Sequence, residues 1–223
     1  MLGSISAYYT VNIQDIQNTP YSHCHQTYCT SQISPNMTAA NNDLSGKLAL
    51  ITGASGGYVL PSSFFFKNTL LTNLPFRIGS AIAKSLYLQN VSLALTYSAS
   101  PDAILALETS LSLLRPESPS PTISTHKVDV SSPADITRLF TSIAQLHGQA
   151  GPDILISNAG HGKRVPEIED ITLEEFDYTI SVNLRAAFVL CKGSIPFMKE
   201  RGWGRVVFVS SLAAHGGGIN GCQ

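Results

Sequence analysis

Two glycine-rich fragments of this chain have the chemistry of a phosphate-binding turn. TGASGG (52–57) closes a short apolar run, and IGSAIAKSL (78–86) opens a helix-like stretch. Glycines after a first strand permit a tight turn and close backbone approach to a pyrophosphate. The N-terminus of the following helix adds unpaired N–H groups and a positive dipole end. Thr52, Gly53, Ser55 and Gly57 would supply the first half of the turn, and Ile78 and Gly79 the second. Between them lie the 20 residues 58–77, which such a turn does not need. Asp129-Val130, Asn158-Ala159-Gly160, Asn183 and Ser210-Ser211 are further polar positions beside apolar runs. Taken singly, each has an ordinary reading as a strand-end turn, a helix cap or a loop residue.

The elements that must position these residues alternate between strand and helix. KLALIT (47–52), VSLALTY (91–97), TISTHKVDV (122–130), DILIS (153–157) and GRVVFVSS (204–211) read as strands, the first as a continuous apolar run buried on both faces. IGSAIAKSLYLQN (78–90) spaces Ile78, Ile82 and Leu86 four apart, which predicts an amphipathic helix. Ser100-Pro101 supplies an N-cap and an N1 proline, with Ile104, Leu107, Leu111 and Leu114 as the inward stripe. Ser132-Pro133 opens another helix, with Ile136, Leu139, Ile143 and Leu146 inside and Gly148 as the stop. Thr172 and Glu175 have capping-box spacing and open a long helix to about Glu200. Five strands alternating with helices predict an α/β fold, a doubly wound parallel sheet of the Rossmann type with right-handed crossovers. Ligands then belong at the carboxyl ends of the strands.

Composition narrows the function. Lys and Arg number 14 against 15 Asp and Glu, so the charge argues against a nucleic-acid or anionic-membrane partner. The most apolar candidate span, 58–76, is interrupted by Pro61, Lys67 and Pro75, so no membrane crossing is expected. Four scattered cysteines fit a reducing compartment, and a cytoplasmic protein is the expectation. Residues 1–42 contain no Lys or Arg and show no sustained period, which predicts a disordered tail with neither a mitochondrial nor a secretory leader pattern. HCHQTYC (23–29) within it lacks a second ligand pair at metal-binding spacing, so no metal site is expected. Met37 begins a natural start, and the first 36 residues are expected not to belong to the mature protein.

Joined from Gly57 to Ile78, the two glycine fragments read TGASGGIGSAIAKSL. This pattern, followed in order by Asp129-Val130, SNAG (157–160), Asn183 in SVNLRAAF and Ser211, resembles the short-chain dehydrogenase/reductase family. The resemblance covers about 43–57 and 78–223, with Ser157 standing where the family has a first Asn. It implies hydride transfer between a nicotinamide cofactor and a carbonyl or alcohol. Ser211 would orient and polarise the substrate oxygen, and Asn183 would kink the long helix and hold a water. Asp129 and Val130 would close the adenine pocket, and Asn158, Ala159 and Gly160 would border the cofactor. Tyr97, Ser98 and Ser100 lie where NAD-preferring members place an acid, which leans towards NADP(H), although no arginine supplies a positive partner. The overall likeness is to 3-oxoacyl-(acyl-carrier-protein) reductases. A small carbonyl or acyl-thioester substrate is therefore expected, and a homo-oligomer in the complete protein.

The chain departs from the family in two places. The family's Tyr and Lys form YxxxK, and none of the eight tyrosines here is followed by Lys at that spacing. From Ser211 the family spacing carries the Tyr just past Gln223, so the domain reads as 43–223 with its C-terminal side incomplete. In the second place, the codons for Gly57-Tyr58-Val59, Leu71-Thr72 and Phe76-Arg77 permit GTATGT, CTAAC and a terminal CAG. Residues 58–77 are accordingly read as a translated intron, against the alternative of a genuine surface insertion. A non-catalytic nucleotide-binding fragment, or a chain with no function, is the competing expectation. Another is a scaffold or regulatory relative that binds NADPH without turnover.

Overall fold

A computed structural model describes the backbone of residues 8–12 and the whole of residues 43–55, 78–114 and 121–211. The insert 58–77, Gly57, the HCHQTYC stretch and the residues after Ser211 lie outside the described residues. Six strands form one sheet: β1 (Tyr8–Asn12), β2 (Leu48–Ile51), β3 (Ser92–Tyr97), β4 (Ile123–Lys127), β5 (Ile154–Ser157) and β6 (Arg205–Val209). Their order is β1-β6-β5-β2-β3-β4. β2 to β6 are mutually parallel, and β1 runs antiparallel along β6. The helices are α1 (Ile78–Leu88), α2 (Pro101–Ser112), α3 (Pro133–His147), α4 (Leu173–Ile180) and α5 (Ala186–Glu200), with one π-helical turn, Ser181–Arg185, between the last two.

The doubly wound parallel sheet is as the alternation of elements predicts. Side chains of successive strand residues point to opposite faces, so an apolar strand buries both. Leu48 and Leu50 of β2 pack with Ile136, Leu139, Ile143 and Leu190 of α3 and α5. Ala49 and Ile51 face the other way, onto Ala83 and Tyr87 of α1 and Ile104 and Leu107 of α2. At the amino edge of the sheet the buried Asp153 carboxylate accepts the Leu48 N–H at 2.9 Å and lies 3.6 Å from Arg201.

The structure corrects several expectations. Residues 8–12, assigned to a disordered tail, form β1. They pair with β6 over its whole length, from Tyr8 opposite Val209 to Asn12 opposite Arg205. β6 therefore does not present an open apolar edge; an antiparallel ladder satisfies its outer backbone groups. In α1 the buried positions are Gly79, Ala83 and Tyr87 rather than the Ile78, Ile82, Leu86 stripe. Small residues allow the helix axis to approach the sheet, so Ile82 and Leu86 flank the contact and Ile78 is 37% exposed. In α3, Ile136, Leu139 and Ile143 are inside, but Leu146 is exposed. His147 turns inward in its place, because its Nε2 meets the Ser124 hydroxyl at 2.7 Å. The Ser132 side chain caps α3 by accepting the Asp135 N–H, whereas Ser100 makes no side-chain cap bond at α2. The long helix expected over 172–200 is interrupted by the π turn.

Candidate functional site

The sequence-predicted residues gather at the carboxyl ends of the parallel strands, in three groups. The first joins the turn after β2 to the turn after β5. Thr52 is fully buried, and its hydroxyl accepts the backbone N–H of Asn158 and of Ala159, both at 3.0 Å. The Asn158 carboxamide donates to the carbonyls of Thr52 and Gly53 at 2.9 and 3.1 Å. Gly53 adopts φ +61, the left-handed region that favours glycine, and its N–H donates to Thr96 Oγ1 at 3.1 Å. The Ala54 N–H reaches the Thr96 carbonyl at 2.9 Å, and Ser55 is buried beside it.

Gly79 closes this first group from the helix side. A Cβ there would stand 2.8 Å from Asn158 Nδ2 and 3.0 Å from both Ala54 Cα and the Gly53 carbonyl oxygen. The two glycine fragments, separated by 58–77 in sequence, thus meet at Gly53 and Gly79. The first turn of α1 contains no acidic residue, so no side-chain charge opposes an anion at its N-terminus. These residues fit the pyrophosphate of a dinucleotide: a left-handed glycine, a helix start without a Cβ, and polar atoms turned to hold backbone rather than to fill the turn. Of the positions expected to hold such a group, Thr52, Gly53, Ser55, Ile78, Gly79, Asn158 and Ala159 lie in or beside this turn.

The second group lies in the loops after β3 and β4. Asp129 is exposed and Val130 buried. One Asp129 carboxylate oxygen accepts the Ser131 N–H at 2.9 Å and the Ser131 hydroxyl at 2.7 Å, which fixes the loop after β4. Ser98 is exposed just past β3. Arg185, in the π turn, donates to the Ser131 carbonyl at 3.0 Å and ties this loop to the third group.

The third group surrounds Asn183. In the π turn, the Ala186 N–H reaches back five residues to the Ser181 carbonyl, a one-turn bulge of the kind found at functional sites. The Asn183 side chain is held at both ends by His161: its Oδ1 accepts the His161 N–H at 2.7 Å and its Nδ2 donates to the His161 carbonyl at 2.8 Å. Gly160 lies beside it, where a Cβ would be 3.6 Å from Asn183 Oδ1. The His161 ring bonds Glu175 Oε1 at 2.6 Å. Ser211 stands two residues beyond β6 and is exposed.

The sequence pattern gives Glu175 a place in a capping box and gives His161 no role. Only one half of that box forms: the Glu175 N–H donates to Thr172 Oγ1 at 3.2 Å, while the Glu175 side chain turns to His161. That hydrogen bond, opposed by partial desolvation and aided by Lys163, holds the Glu175 carboxyl below the usual glutamate range. The available signal was a histidine directly after the NAG turn with no other role.

Among the described residues no helix is long and apolar enough to cross a membrane. The short chain dehydrogenase family model matches residues 69–223. D-beta-hydroxybutyrate dehydrogenase of Rhizobium meliloti (strain 1021) is 35% identical over 150 residues, which cover 67% of this chain and 55% of that protein. Dehydrogenase/reductase SDR family member 4 of Homo sapiens is 41% identical over 85 residues, 38% of this chain and 30% of that protein. Among solved structures, a metagenomic short-chain oxidoreductase in complex with NADP superposes with a TM-score of 0.57 at 26% identity, over 73% of this chain and 61% of that one. L-Sorbose reductase from Gluconobacter frateurii, complexed with NADPH and L-sorbose, gives a TM-score of 0.56 at 26% identity, over 73% of this chain and 52% of that one. The chain spans about half the length of the curated relatives it matches. With the family model covering well over half of its residues, and the glycine turn, NAG turn and π-turn Asn in place, the chain belongs to the short-chain dehydrogenase family of oxidoreductases.

Proposed function

We propose that this chain carries the nucleotide site and part of the catalytic site of an NADP(H)-dependent reductase that converts a carbonyl to an alcohol. A 3-oxoacyl thioester is the substrate class. The observation that carries this reading is the meeting of Gly53, Gly79 and Asn158, which builds a phosphate cradle from two separated pieces of sequence. Bound NADPH would supply the hydride. Ser211 would donate its hydroxyl hydrogen to the substrate oxygen, and the Asn183 turn would support the proton path. Preference for the 2′-phosphorylated cofactor rests on Tyr97-Ser98, where no acid repels a phosphate. The NADP and NADPH complexes among the structural relatives support it.

A homo-oligomer is part of the proposal. Phe176, Ile180, Leu184 and Phe188 recur every four residues along α4, the π turn and α5, and are 55%, 40%, 64% and 67% exposed. Four large apolar side chains in one exposed row suit a second copy of the same helix. The cytoplasmic placement rests on cysteine usage.

A second reading is that the chain binds the nucleotide without turnover, as a non-catalytic fragment or a regulatory relative. The 20 residues 58–77 that divide the glycine turn in sequence favour this reading. Titrating the purified chain with NADPH and NADH, then adding an acetoacetyl thioester, separates the two. Tighter NADPH binding with oxidation on addition of the thioester supports the reductase. Binding without oxidation supports the second reading, and no binding of either nucleotide sinks both.

A further inference from the structure

His161 is joined to the site at both its backbone and its ring. Its peptide groups hold the two ends of the Asn183 carboxamide at 2.7 and 2.8 Å. Its ring Nε2 meets Glu175 Oε1 at 2.6 Å, and the Tyr178 ring packs edge-on against it with centroids 4.8 Å apart. The second Glu175 oxygen lies 3.5 Å from Lys163 Nζ. The Glu175 side chain is only 15% exposed and that of His161 28%, although both belong to the surface of the domain. The bonds close a ring through the loop after β5, α4 and the π turn.

The consequence concerns Asn183. Its residue is exposed, and an exposed carboxamide ordinarily samples several rotamers. Here a two-point bond fixes its plane, provided that the His161 peptide keeps its orientation. The loop from Ala159 to Glu167 has no regular secondary structure to supply that orientation. The imidazole–carboxylate bond supplies it from the side-chain end, as a charge-assisted bond of fixed direction. The groups facing the pair are Lys163 from the same loop and Tyr178 from α4. Arg185 of the π turn points away, to the Ser131 carbonyl.

We infer that His161 and Glu175 are a positioning pair for Asn183: the Glu175 carboxylate anchors the His161 ring and thereby holds the peptide on which the Asn183 carboxamide is oriented. The inference rests on the reductase reading for its effect on turnover, though not for its structural content.

The test uses the full chain with NADPH and the variants Glu175→Ala and Glu175→Gln. Amide NMR follows the Asn183 side-chain NH2 and the His161 N–H, and steady-state kinetics follow kcat and KM. In Glu175→Ala the Asn183 signals should move to the positions of a free carboxamide, and the His161 amide should exchange about ten-fold faster or more. Turnover should fall about ten-fold or more, with KM for NADPH held within about two-fold. Glu175→Gln keeps an acceptor oxygen for Nε2–H and should restore both. Unchanged Asn183 signals in Glu175→Ala would overturn the inference, as would a parallel loss of turnover and NADPH affinity. A native chain without turnover would count against the reductase reading alone, and the NMR comparison would still decide the positioning role.

Discussion

Thr52 and Asn158, more than a hundred residues apart in sequence, satisfy each other's backbone. The Thr52 hydroxyl takes the Asn158 N–H at 3.0 Å, and the Thr52 carbonyl takes the Asn158 side chain at 2.9 Å. The ladder between β2 and β5 has its last pair at Ile51 and Ile156, so Thr52 and Asn158 carry the strand contact on into two irregular turns. Thr52→Val keeps the shape but leaves the Asn158 and Ala159 N–H groups without their acceptor. A donor stranded in this way costs about 1–3 kcal/mol. We expect a loss of about 3 kcal/mol from the two together, read as a lower urea midpoint at constant slope. A change below about 0.5 kcal/mol would show that the hydroxyl is not needed there.

Gly79→Val tests the joining of the glycine halves. Even the first added carbon would meet Asn158 Nδ2 at 2.8 Å and backbone atoms of Gly53 and Ala54 at 3.0 Å, and backbone cannot rotate away. α1 must then retreat from the turn. The expected stability cost is about 1–3 kcal/mol, with NADPH affinity down by about ten-fold or more, since the helix start no longer faces the phosphate. Ala81→Val, at an exposed position of the same helix, should change NADPH affinity little. Equal affinities for the two variants would contradict the cradle.

The insert is testable through the same binding assay. Deleting 58–77 joins Gly57 directly to Ile78 and restores an uninterrupted turn. The entropic cost of a longer loop grows slowly with length, so a benign insertion predicts little change. We expect instead that the deletion tightens NADPH binding by about ten-fold or more. Genomic codons lacking GTATGT or CTAAC would separately remove the intron reading.

The sheet and the cradle were legible because they rest on local signals. Apolar runs ending in glycine, N1 prolines at Pro101 and Pro133, and a left-handed stop at Gly148 each act within a few residues. What was not legible depended on contacts across the chain. The face that α1 buries is set by how closely Gly79 and Ala83 let it approach the sheet, and the Ile78, Ile82, Leu86 spacing cannot report that. His147 replaces Leu146 inside because Ser124, on another element, offers a hydroxyl. Strand β1 was invisible because nothing near Tyr8–Asn12 announces a partner at Val209 to Arg205. Glu175 had a local role ready to be assigned, and a histidine fourteen positions earlier took its side chain instead.

The exposed row on α4 and α5 predicts association. Phe176→Ser with Phe188→Ser removes the two aromatic ends of the row without touching Asn183 or the buried Leu190 beneath it. We expect the native chain to sediment as an oligomer and the double variant to shift towards monomer, with the unfolding midpoint becoming less dependent on protein concentration. A native chain that stays monomeric at high concentration would refute the proposed interface.

The edge strand β4 predicts a pH dependence with a definite sign. Ser124 Oγ lies 2.8 Å from His126 Nε2 and 2.7 Å from His147 Nε2. A hydroxyl has one hydrogen to give, so one imidazole accepts it and the other donates its own N–H to the oxygen. The accepting ring is therefore neutral, and burial disfavours charge on both. Burial lowers the pKa of each, and the neighbouring His147 lowers that of His126 further. No other ionisable side chain on β3, at Ala94 or Thr96 in the paired register, offsets this. In the unfolded chain both histidines titrate near the ordinary value of about 6.5. Their contribution to stability is complete above that value. As pH falls through it, the unfolded chain binds protons that the folded chain refuses, and stability declines until the depressed folded values are reached. The carboxylates of Asp135 and Glu175, whose folded values are also depressed, enter only as pH falls into the ordinary carboxylate range, where the unfolded chain begins to take up protons. Between roughly pH 7.5 and 5 the loss should therefore belong to the histidine pair. His126→Gln combined with His147→Gln should flatten the urea midpoint over that window while Glu175→Gln leaves it sloped. A slope that survives in the histidine double variant would place the acid sensitivity elsewhere in the fold.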